Sequence, residues 1–371
     1  MMQRGWAYFL VTVLAACSSS PDKPTPTVLP PNAALLGVTQ AWSGAISAIN
    51  MPLTVSVAGE RLAVSGTDGT VAVINGADGR DVWRGNAGAS LSTGVGSDGR
   101  TAAVVTRSND LVALRDGRPL WRRKLNAQVF TAPLVAGERV FVLAADRSVQ
   151  AFDGESGAKI WTLQRPVTEP LSLRQASLIM AVGDTLVVGI SGRMVGINPV
   201  NGSVRWEVPI ANPRGGNDIE RLVDLLAGVS RVGSVVCARA YQAAVGCVDT
   251  SRGVLLWSQA SNGSVGITGD DRYVYGVEAD GKVIAWNRNN GDRVWSTDRL
   301  RYRGLSAPLA VGRSVVVGDQ PGFVHFLSVE NGSPLNRMTT DGSAVVAAPV
   351  LVENTLVVVT RSGGVFGFRP Q

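Results

Sequence analysis

Residues 73–83 read VINGADGRDVW: the end of an apolar strand, a glycine turn and a tryptophan. The chain repeats this pattern six more times, each time with a turn glycine four residues before the closing position. The closing positions are Trp83, Trp121, Trp161, Trp206, Trp257, Trp295 and Asn336, and Trp42 precedes the series without such a turn. A period near forty residues with strand-like flanks is typical of the blades of a β-propeller.

Each repeat contains four strand segments. An apolar hairpin precedes the glycine turn, as in the two runs that flank Asp68-Gly69, and many repeats open with a short apolar strand such as residues 132–135. Seven repeats are complete, whereas an eighth, residues 347–369, stops before a closing strand. We therefore predict an all-β fold over residues 37–371: an eight-bladed β-propeller of four-stranded antiparallel blades, the last closed by the N-terminal strand around Trp42. Seven blades are the alternative.

The charge balance does not favour a nucleic-acid partner. Lys and Arg number 35 against 29 Asp and Glu, and no basic cluster with interleaved aromatic residues stands out. The 43 glycines and the 45% of apolar residues fit many short strands joined by tight turns. The composition therefore indicates a solvated ring surface and no nucleic-acid role.

The N-terminus is typical of an export signal. Arg4 precedes an apolar run that is too short to cross a bilayer, and small residues follow it up to Cys17. Residues 14–17, Leu-Ala-Ala-Cys, look like the bacterial lipobox, which implies that residues 1–16 are removed and Cys17 is lipidated. Ser18 implies sorting to the outer membrane. Residues 17–36 are rich in Ser and Pro, and we expect a flexible tether there.

Residues that could carry catalysis are few. His325 is the single histidine and lies within a strand, so we expect a structural role, no histidine metal cluster and no catalytic site. The repeated tryptophans are expected to pack between blades. Cys237 and Cys247 lie on the two arms of one predicted hairpin, where a cross-strand disulfide and two buried thiols both fit.

Two neighbouring connections between repeats are longer than the others: residues 164–175 and residues 211–228. The first carries Leu171, Leu173 and Arg174. The second is predicted to form a short helix, because Ile219, Leu222, Val223 and Leu226 recur at helical spacing after a capping Asn217 or Asp218. Insertions at corresponding connections emerge on one face of a propeller. The two loops could pack on each other or present an apolar, charge-rimmed surface to a protein partner.

The lipobox, the Pro-rich segment and the repeats together resemble the BamB family of outer-membrane lipoproteins, within the wider PQQ-like group. Residues 170–174 match the family's Leu-Ser-Leu-Arg loop, and residues 218–224 are similar to its acidic-Ile-acidic-Arg-Leu-x-Asp segment. The resemblance implies a non-catalytic, cofactor-free scaffold on the periplasmic face of the outer membrane of a Gram-negative bacterium. It implies that Leu171, Leu173, Arg174 and Asp224 bind a POTRA domain of BamA, the barrel subunit of the BAM complex, with unfolded outer-membrane proteins as further partners. A second family aspartate is Leu226 in this chain, which weakens the acidic part of the contact.

Two other functions share this fold. One is a PQQ-dependent quinoprotein dehydrogenase-like enzyme, which would need a cofactor bed on the propeller axis and, in many members, a pair of adjacent cysteines. The other is a periplasmic propeller that binds polysaccharide or cell wall.

Overall fold

Each sequence repeat folds as one antiparallel sheet. The computed structural model describes residues 24–165 and 171–371, and these form 32 strands in eight four-stranded sheets. The predicted eight-bladed, all-β architecture is confirmed. We number the blades 1–8 in chain order and call the strand nearest the axis the inner strand.

The strand bounds of blades 1–4, from the inner to the outer strand, are as follows. Blade 1 has β2 (Ser56–Ala58), β3 (Arg61–Ser65), β4 (Thr70–Asn75) and β5 (Asp81–Asn86). Blade 2 has β6 (Gly96–Ser97), β7 (Thr101–Val105), β8 (Asp110–Arg115) and β9 (Arg118–Lys124). Blade 3 has β10 (Leu134–Ala136), β11 (Arg139–Leu143), β12 (Val149–Asp153) and β13 (Lys159–Leu163). Blade 4 has β14 (Ile179–Val182), β15 (Thr185–Ile190), β16 (Arg193–Ile197) and β17 (Val204–Pro209).

The remaining blades follow the same order. Blade 5 has β18 (Ser230–Val232), β19 (Val235–Ala240), β20 (Ala244–Asp249) and β21 (Val254–Ala260). Blade 6 has β22 (Ile267–Gly269), β23 (Tyr273–Val277), β24 (Val283–Asn287) and β25 (Arg293–Thr297). Blade 7 has β26 (Leu309–Val311), β27 (Ser314–Gly318), β28 (Phe323–Ser328) and β29 (Pro334–Thr339). Blade 8 has β30 (Val350–Val352), β31 (Thr355–Val359), β32 (Gly364–Pro370) and β1 (Val38–Ala45).

The core lies between the blades. Alternate residues of a middle strand point to opposite faces of its sheet, so one strand serves two interfaces. In β3, Leu62 and Val64 pack against blade 8, whereas Ala63 packs against blade 2. The middle strands are therefore apolar on both faces, which explains their nearly continuous runs of Val, Leu and Ala.

The repeated tryptophan links most blades to the next one. Trp121 Nε1 of blade 2 donates a 3.0 Å hydrogen bond to the Gly154 carbonyl of blade 3. The indoles of Trp161, Trp257 and Trp295 each donate an equivalent bond to a backbone carbonyl of the blade that follows their own. The turn glycine packs on the same indole: a Cβ at Gly157 would lie 2.5 Å from Trp121 Cδ2, and its φ of 67° suits glycine. The sequence repeats a glycine and a tryptophan together because, at most blade interfaces, the turn glycine of one blade packs on the tryptophan of the preceding blade. Gly117 is an exception and packs on the backbone of Arg84.

Blade 8 closes the ring with both ends of the chain. Strand β1 pairs antiparallel with β32, from Val38 opposite Pro370 to Ala45 opposite Gly364. Trp42 of β1 then donates its indole N–H to the Gly76 carbonyl of blade 1. The predicted closure by the N-terminal strand is confirmed, and it leaves the seam of the ring between β32 and β1.

Asn336 replaces the tryptophan because of that seam. Six of the other closing tryptophans contact the turn between the third and fourth strands of the next blade: Trp42, Trp121, Trp161, Trp206, Trp257 and Trp295. In blade 8 that turn is replaced by the two chain termini. Asn336 Nδ2 instead donates 2.7 Å to the carbonyl of Leu36, just before β1. Across the sheet it faces the large Phe326, whereas Trp42 and Trp206 face Gly367 and Gly196. The smaller side chain of Asn336 is thus matched by a larger neighbour on the adjacent strand of the same blade.

The ring has two faces that differ in their loops. Because strand direction alternates, the turns between the second and third strands lie on the same face as the connections from one blade to the next. We call this the upper face and the opposite one the lower face. The two long connections, after β13 and β17, therefore both emerge on the upper face. Among the described residues, no helix is long and apolar enough to cross a membrane.

Residues 24–36 lie along the outside of the ring. This part of the expected flexible tether is extended and hydrogen-bonded to blade 7 and to the connection before it. Thr27 N donates 3.0 Å to the Arg301 carbonyl, and Leu35 N donates 2.7 Å to the Leu335 carbonyl. Leu29 packs against the core of blades 6 and 7. The earlier part, with the signal segment and Cys17, lies outside the described residues.

Candidate functional site on the upper face

The two long connections meet on the upper face at blades 3, 4 and 5. Of the first, residues 166–170 lie outside the described residues, so Pro170 of the quoted motif is not described. The remainder, from Leu171, runs beside the second connection. Leu173 N donates a 2.8 Å hydrogen bond to Asp224 Oδ2, which joins the two loops directly.

Asp224 is held within the site. Its side chain is 13% exposed, and its backbone carbonyl accepts a 3.0 Å hydrogen bond from Tyr241 N of blade 5. A buried carboxylate that accepts a backbone N–H forms a charge-assisted bond, which is stronger than a neutral one. The geometry therefore gives Asp224 the role of holding Leu173 in place.

Arg147 also holds the first connection in place, although no pattern in the sequence pointed to this residue. It lies in the upper turn between β11 and β12 of blade 3, with a positive φ of 63° and a side chain that is 10% exposed. Its Nη2 donates 2.9 Å to the Leu171 carbonyl and lies 3.8 Å from Asp224 Oδ1. One guanidinium thus contacts both connections, and an arginine in a hairpin turn has no local pattern that would predict this contact.

The predicted helix in the second connection is wrong. Asn217 Oδ1 does accept bonds from the N–H groups of Ile219 and Glu220, as a cap would, but a single turn over residues 218–221 follows. Beyond it, Leu225 bridges to Ala240 of blade 5, and Leu226 bridges to Ser177, which follows the first connection. This backbone pairing keeps the segment extended, so tertiary contacts override the helical spacing.

The apolar residues of the second connection divide into two groups. Val223, Leu225 and Leu226 are buried and form the floor of the site, whereas Ile219 is 74% exposed. Leu226 is 2% exposed, and its N–H bonds to the Arg239 carbonyl. The position at which the resemblance implied a second aspartate is therefore buried in this chain.

The first connection supplies the accessible surface. Leu171 is 41% exposed, Leu173 is half-buried, and Arg174 is exposed with its guanidinium 5.9 Å from the centre of the Phe130 ring. Arg174 also lines the mouth of the central channel, a cavity of about 770 Å³. The site thus combines an exposed leucine with an arginine at the rim of the channel, over a base fixed by Arg147 and Asp224.

The central channel has few groups that could bind a metal. Its mouth is lined by backbone, by apolar side chains and by polar ones that include Arg174, Gln175, Gln320 and Arg361, with no carboxylate among the described lining residues. Across residues 24–165 and 171–371, no cluster of three or more His, Cys, Asp or Glu could hold a metal ion.

His325 lies away from the site, in a buried ion cluster of blade 7. Its Nε2 is 2.9 Å from Asp319 Oδ2, which also accepts a 2.7 Å bond from Arg303 Nε. Burial alone would raise the pKa of the Asp319 carboxyl, but the hydrogen bonds from His325, the Phe323 amide and Arg303 outweigh it and hold the pKa below its ordinary value. The cluster is structural, because each group is used to pair the others.

The two remaining cysteines also lie away from the site. Cys237 and Cys247 face each other on β19 and β20 and are joined by a disulfide in the structure. Both are fully buried in the core between blades 5 and 6.

The fold and the site together define a class of protein: a β-propeller of PQQ-like repeats with two enlarged, adjoining connections on one face. Residues 67–297 match the family model described as outer membrane protein assembly factor BamB. The chain is 37% identical over 366 residues to the outer membrane protein assembly factor BamB of Burkholderia pseudomallei, covering 97% of this chain and 96% of that protein. The protein belongs to the BamB family, which confirms the resemblance seen in the sequence.

Solved structures agree with this assignment. The crystal structure of BamB from Moraxella catarrhalis superposes with a TM-score of 0.79 at 26% identity, over 90% of this chain and 99% of that one. The quinohemoprotein alcohol dehydrogenase of Comamonas testosteroni reaches a TM-score of 0.69 at 15% identity, over 92% of this chain and 78% of that one. The second likeness concerns the fold alone.

Proposed function

We propose that this protein assists the assembly of outer-membrane proteins as a non-catalytic scaffold of the BAM complex, lipidated at Cys17 and located at the periplasmic face of the outer membrane. Its partner is BamA, bound through a POTRA domain. The proposal is supported by membership of a family named for outer membrane protein assembly. No step of it requires a cofactor or a catalytic residue.

The observation that carries the site assignment is the support of residues 171–174. Arg147 and Asp224 bind the backbone of this loop at Leu171 and Leu173, while the Leu171 side chain stays exposed. A loop that is ordered before binding loses less conformational entropy when a partner docks. We therefore propose that Leu171, Leu173 and Arg174 contact BamA and that Asp224 mainly positions them.

Apolar and charged groups have separate roles in this contact. An exposed leucine contributes by leaving water for a pocket of the partner, and the arginine fixes orientation through charge-assisted bonds. The second connection is joined to this loop through Asp224 and adds a further exposed apolar side chain, Ile219.

The test is capture of purified BamA POTRA domains by the full-length protein. We expect Leu171→Glu and Arg174→Glu each to reduce capture at least about tenfold, which corresponds to about 1.4 kcal/mol. Arg107→Glu is the matched control, because Arg107 is an exposed arginine in the upper turn of blade 2 and belongs to neither connection. Capture at the parental level by Leu171→Glu and Arg174→Glu, as by Arg107→Glu, would contradict the site assignment, provided that all three variants keep the parental thermal stability.

A further inference from the structure

The N-terminal segment has a defined path on the ring. We call residues 24–36 the strap. Its upper end is fixed at the connection between blades 6 and 7: Thr27 N donates to the Arg301 carbonyl at 3.0 Å, and Arg303 Nη1 donates to the Thr27 carbonyl at 3.1 Å. That connection lies on the upper face, so the strap meets the ring there.

From the upper face the strap descends along β29, the outer strand of blade 7. Arg337 Nη1 donates 3.2 Å to the Pro30 carbonyl, and Asn32 Nδ2 donates 2.9 Å to Asn336 Oδ1. Near the lower face, Arg313 Nη2 donates 3.2 Å to the Leu35 carbonyl. The strap thus covers the exposed edge of blade 7 before it continues into β1 of blade 8.

The position of the strap limits where an N-terminal anchor can be. Seven residue steps separate Pro24 from Cys17, and a fully extended chain spans at most about 3.6 Å per residue, or about 25 Å in total. Pro24 precedes the part of the strap that is bound at the upper face. Ten residue steps separate Cys17 from Thr27, the first residue bonded to the upper face, so an acyl chain on Cys17 keeps the upper rim of blade 7 within about 36 Å of the bilayer surface.

The surface around this point is compatible with phospholipid headgroups. Arg299 is exposed there, and Tyr302 is 40% exposed, with the Arg301 guanidinium 5.3 Å from the centre of its ring. Basic side chains attract lipid phosphates, and an amphipathic tyrosine suits the membrane interface. The exposed Asp298 offsets part of this positive charge, so the anchor and the strap, more than net charge, have to determine the orientation.

We propose that the strap orients the ring, so that the upper rim of blades 6 and 7 lies against a bilayer with phosphate headgroups. In a ring of eight, blade 7 is opposite blade 3, so the anchor and the candidate site occupy opposite sides of the same face. The partner surface is then held on the membrane-facing side of the ring, away from the anchor point. This inference rests on the proposed lipidation of Cys17.

The test compares the distances of the upper and lower faces of blades 6 and 7 from the membrane. Full-length lipidated protein is prepared with one added cysteine, Asp298→Cys on the upper face or Asn331→Cys on the lower face, and a fluorophore is attached. Both positions are exposed. In vesicles of phosphatidylethanolamine and phosphatidylglycerol that contain a headgroup quencher, we expect at least about threefold stronger quenching at position 298 than at 331. Equal quenching in protein that floats with the vesicles would overturn the proposed orientation while leaving lipidation intact.

A second variant tests whether the strap causes the orientation. Thr27→Pro combined with Arg337→Ala removes the amide bond to the Arg301 carbonyl at the upper face and the guanidinium bond to the Pro30 carbonyl. Arg293→Ala, on the exposed outer strand of blade 6, is the control. We expect the quenching difference to disappear in the double variant and to persist in the control, with both proteins still floating. A persistent difference in the double variant would overturn the role of the strap, and failure of every protein to float would overturn lipidation and this inference together.

Discussion

Substitution of Asp224 tests how the candidate site is built. In Asp224→Ala, the Leu173 amide loses the carboxylate that it contacts at 2.8 Å, and the Arg147 guanidinium loses a neighbouring negative charge. A hydrogen bond to a charged group contributes about 1.5–3 kcal/mol, and each 1.4 kcal/mol is a factor of about ten. If local opening of the loop controls exchange, the Leu173 amide should exchange with solvent about ten to one hundred times faster.

Hydrogen exchange followed by NMR or mass spectrometry measures this change. Asp224→Asn should give a smaller acceleration, because the amide oxygen can still accept the Leu173 N–H but carries no charge. Asp218→Ala is the matched control, an exposed acid in the same connection. An unchanged Leu173 exchange rate in Asp224→Ala would refute the argument that this carboxylate holds the loop.

Two further predictions concern the ring. Asp319→Asn should lower the free energy of unfolding by about 3–5 kcal/mol near neutral pH, because it breaks a buried ion cluster. The folded-state pKa of Asp319 is lowered, so its stabilisation is present above the unfolded pKa and is lost as the pH falls through the folded pKa. The unfolding free energies of parent and variant, measured in urea titrations, should therefore converge as the pH falls below about 4. A difference that stays constant with pH would contradict this. Trp121→Phe leaves the buried Gly154 carbonyl without its indole donor and should cost about 1–3 kcal/mol, visible as a lower urea midpoint; an unchanged midpoint would contradict it.

The blade count was predictable because it depends on local, repeated chemistry. A glycine with positive φ followed by a tryptophan four residues later recurs in six of the seven complete repeats. The two irregular ends of the series were also informative: Trp42, which has no preceding turn, and the incomplete last repeat together predicted the closure by β1. What the sequence did not explain was Asn336, whose size and bonding depend on the chain termini at the seam.

The candidate site was only partly predictable. The lengths of the two connections could be read from the sequence, whereas the exposure of Leu171 was one of two alternatives that the sequence left open. The contact of Arg147 with both loops could not, because it arises from the approach of a turn in blade 3 to residues far along the chain. The helical spacing around Leu222 was misleading, since pairing of Leu225 and Leu226 with neighbouring segments determines the backbone there.

The continuity of the strap with β1 has a consequence for biogenesis. β1 is synthesised first, but its partner β32 is synthesised last, so the ring cannot be sealed until translation is complete. The strap docks on β29 and leads directly into β1, so docking of the strap and closure of the ring by β1 belong to one late step of folding. A chain truncated before β32 would lack both a sealed ring and a defined position for its N-terminus, so a single defect in maturation would remove structural integrity and membrane placement together.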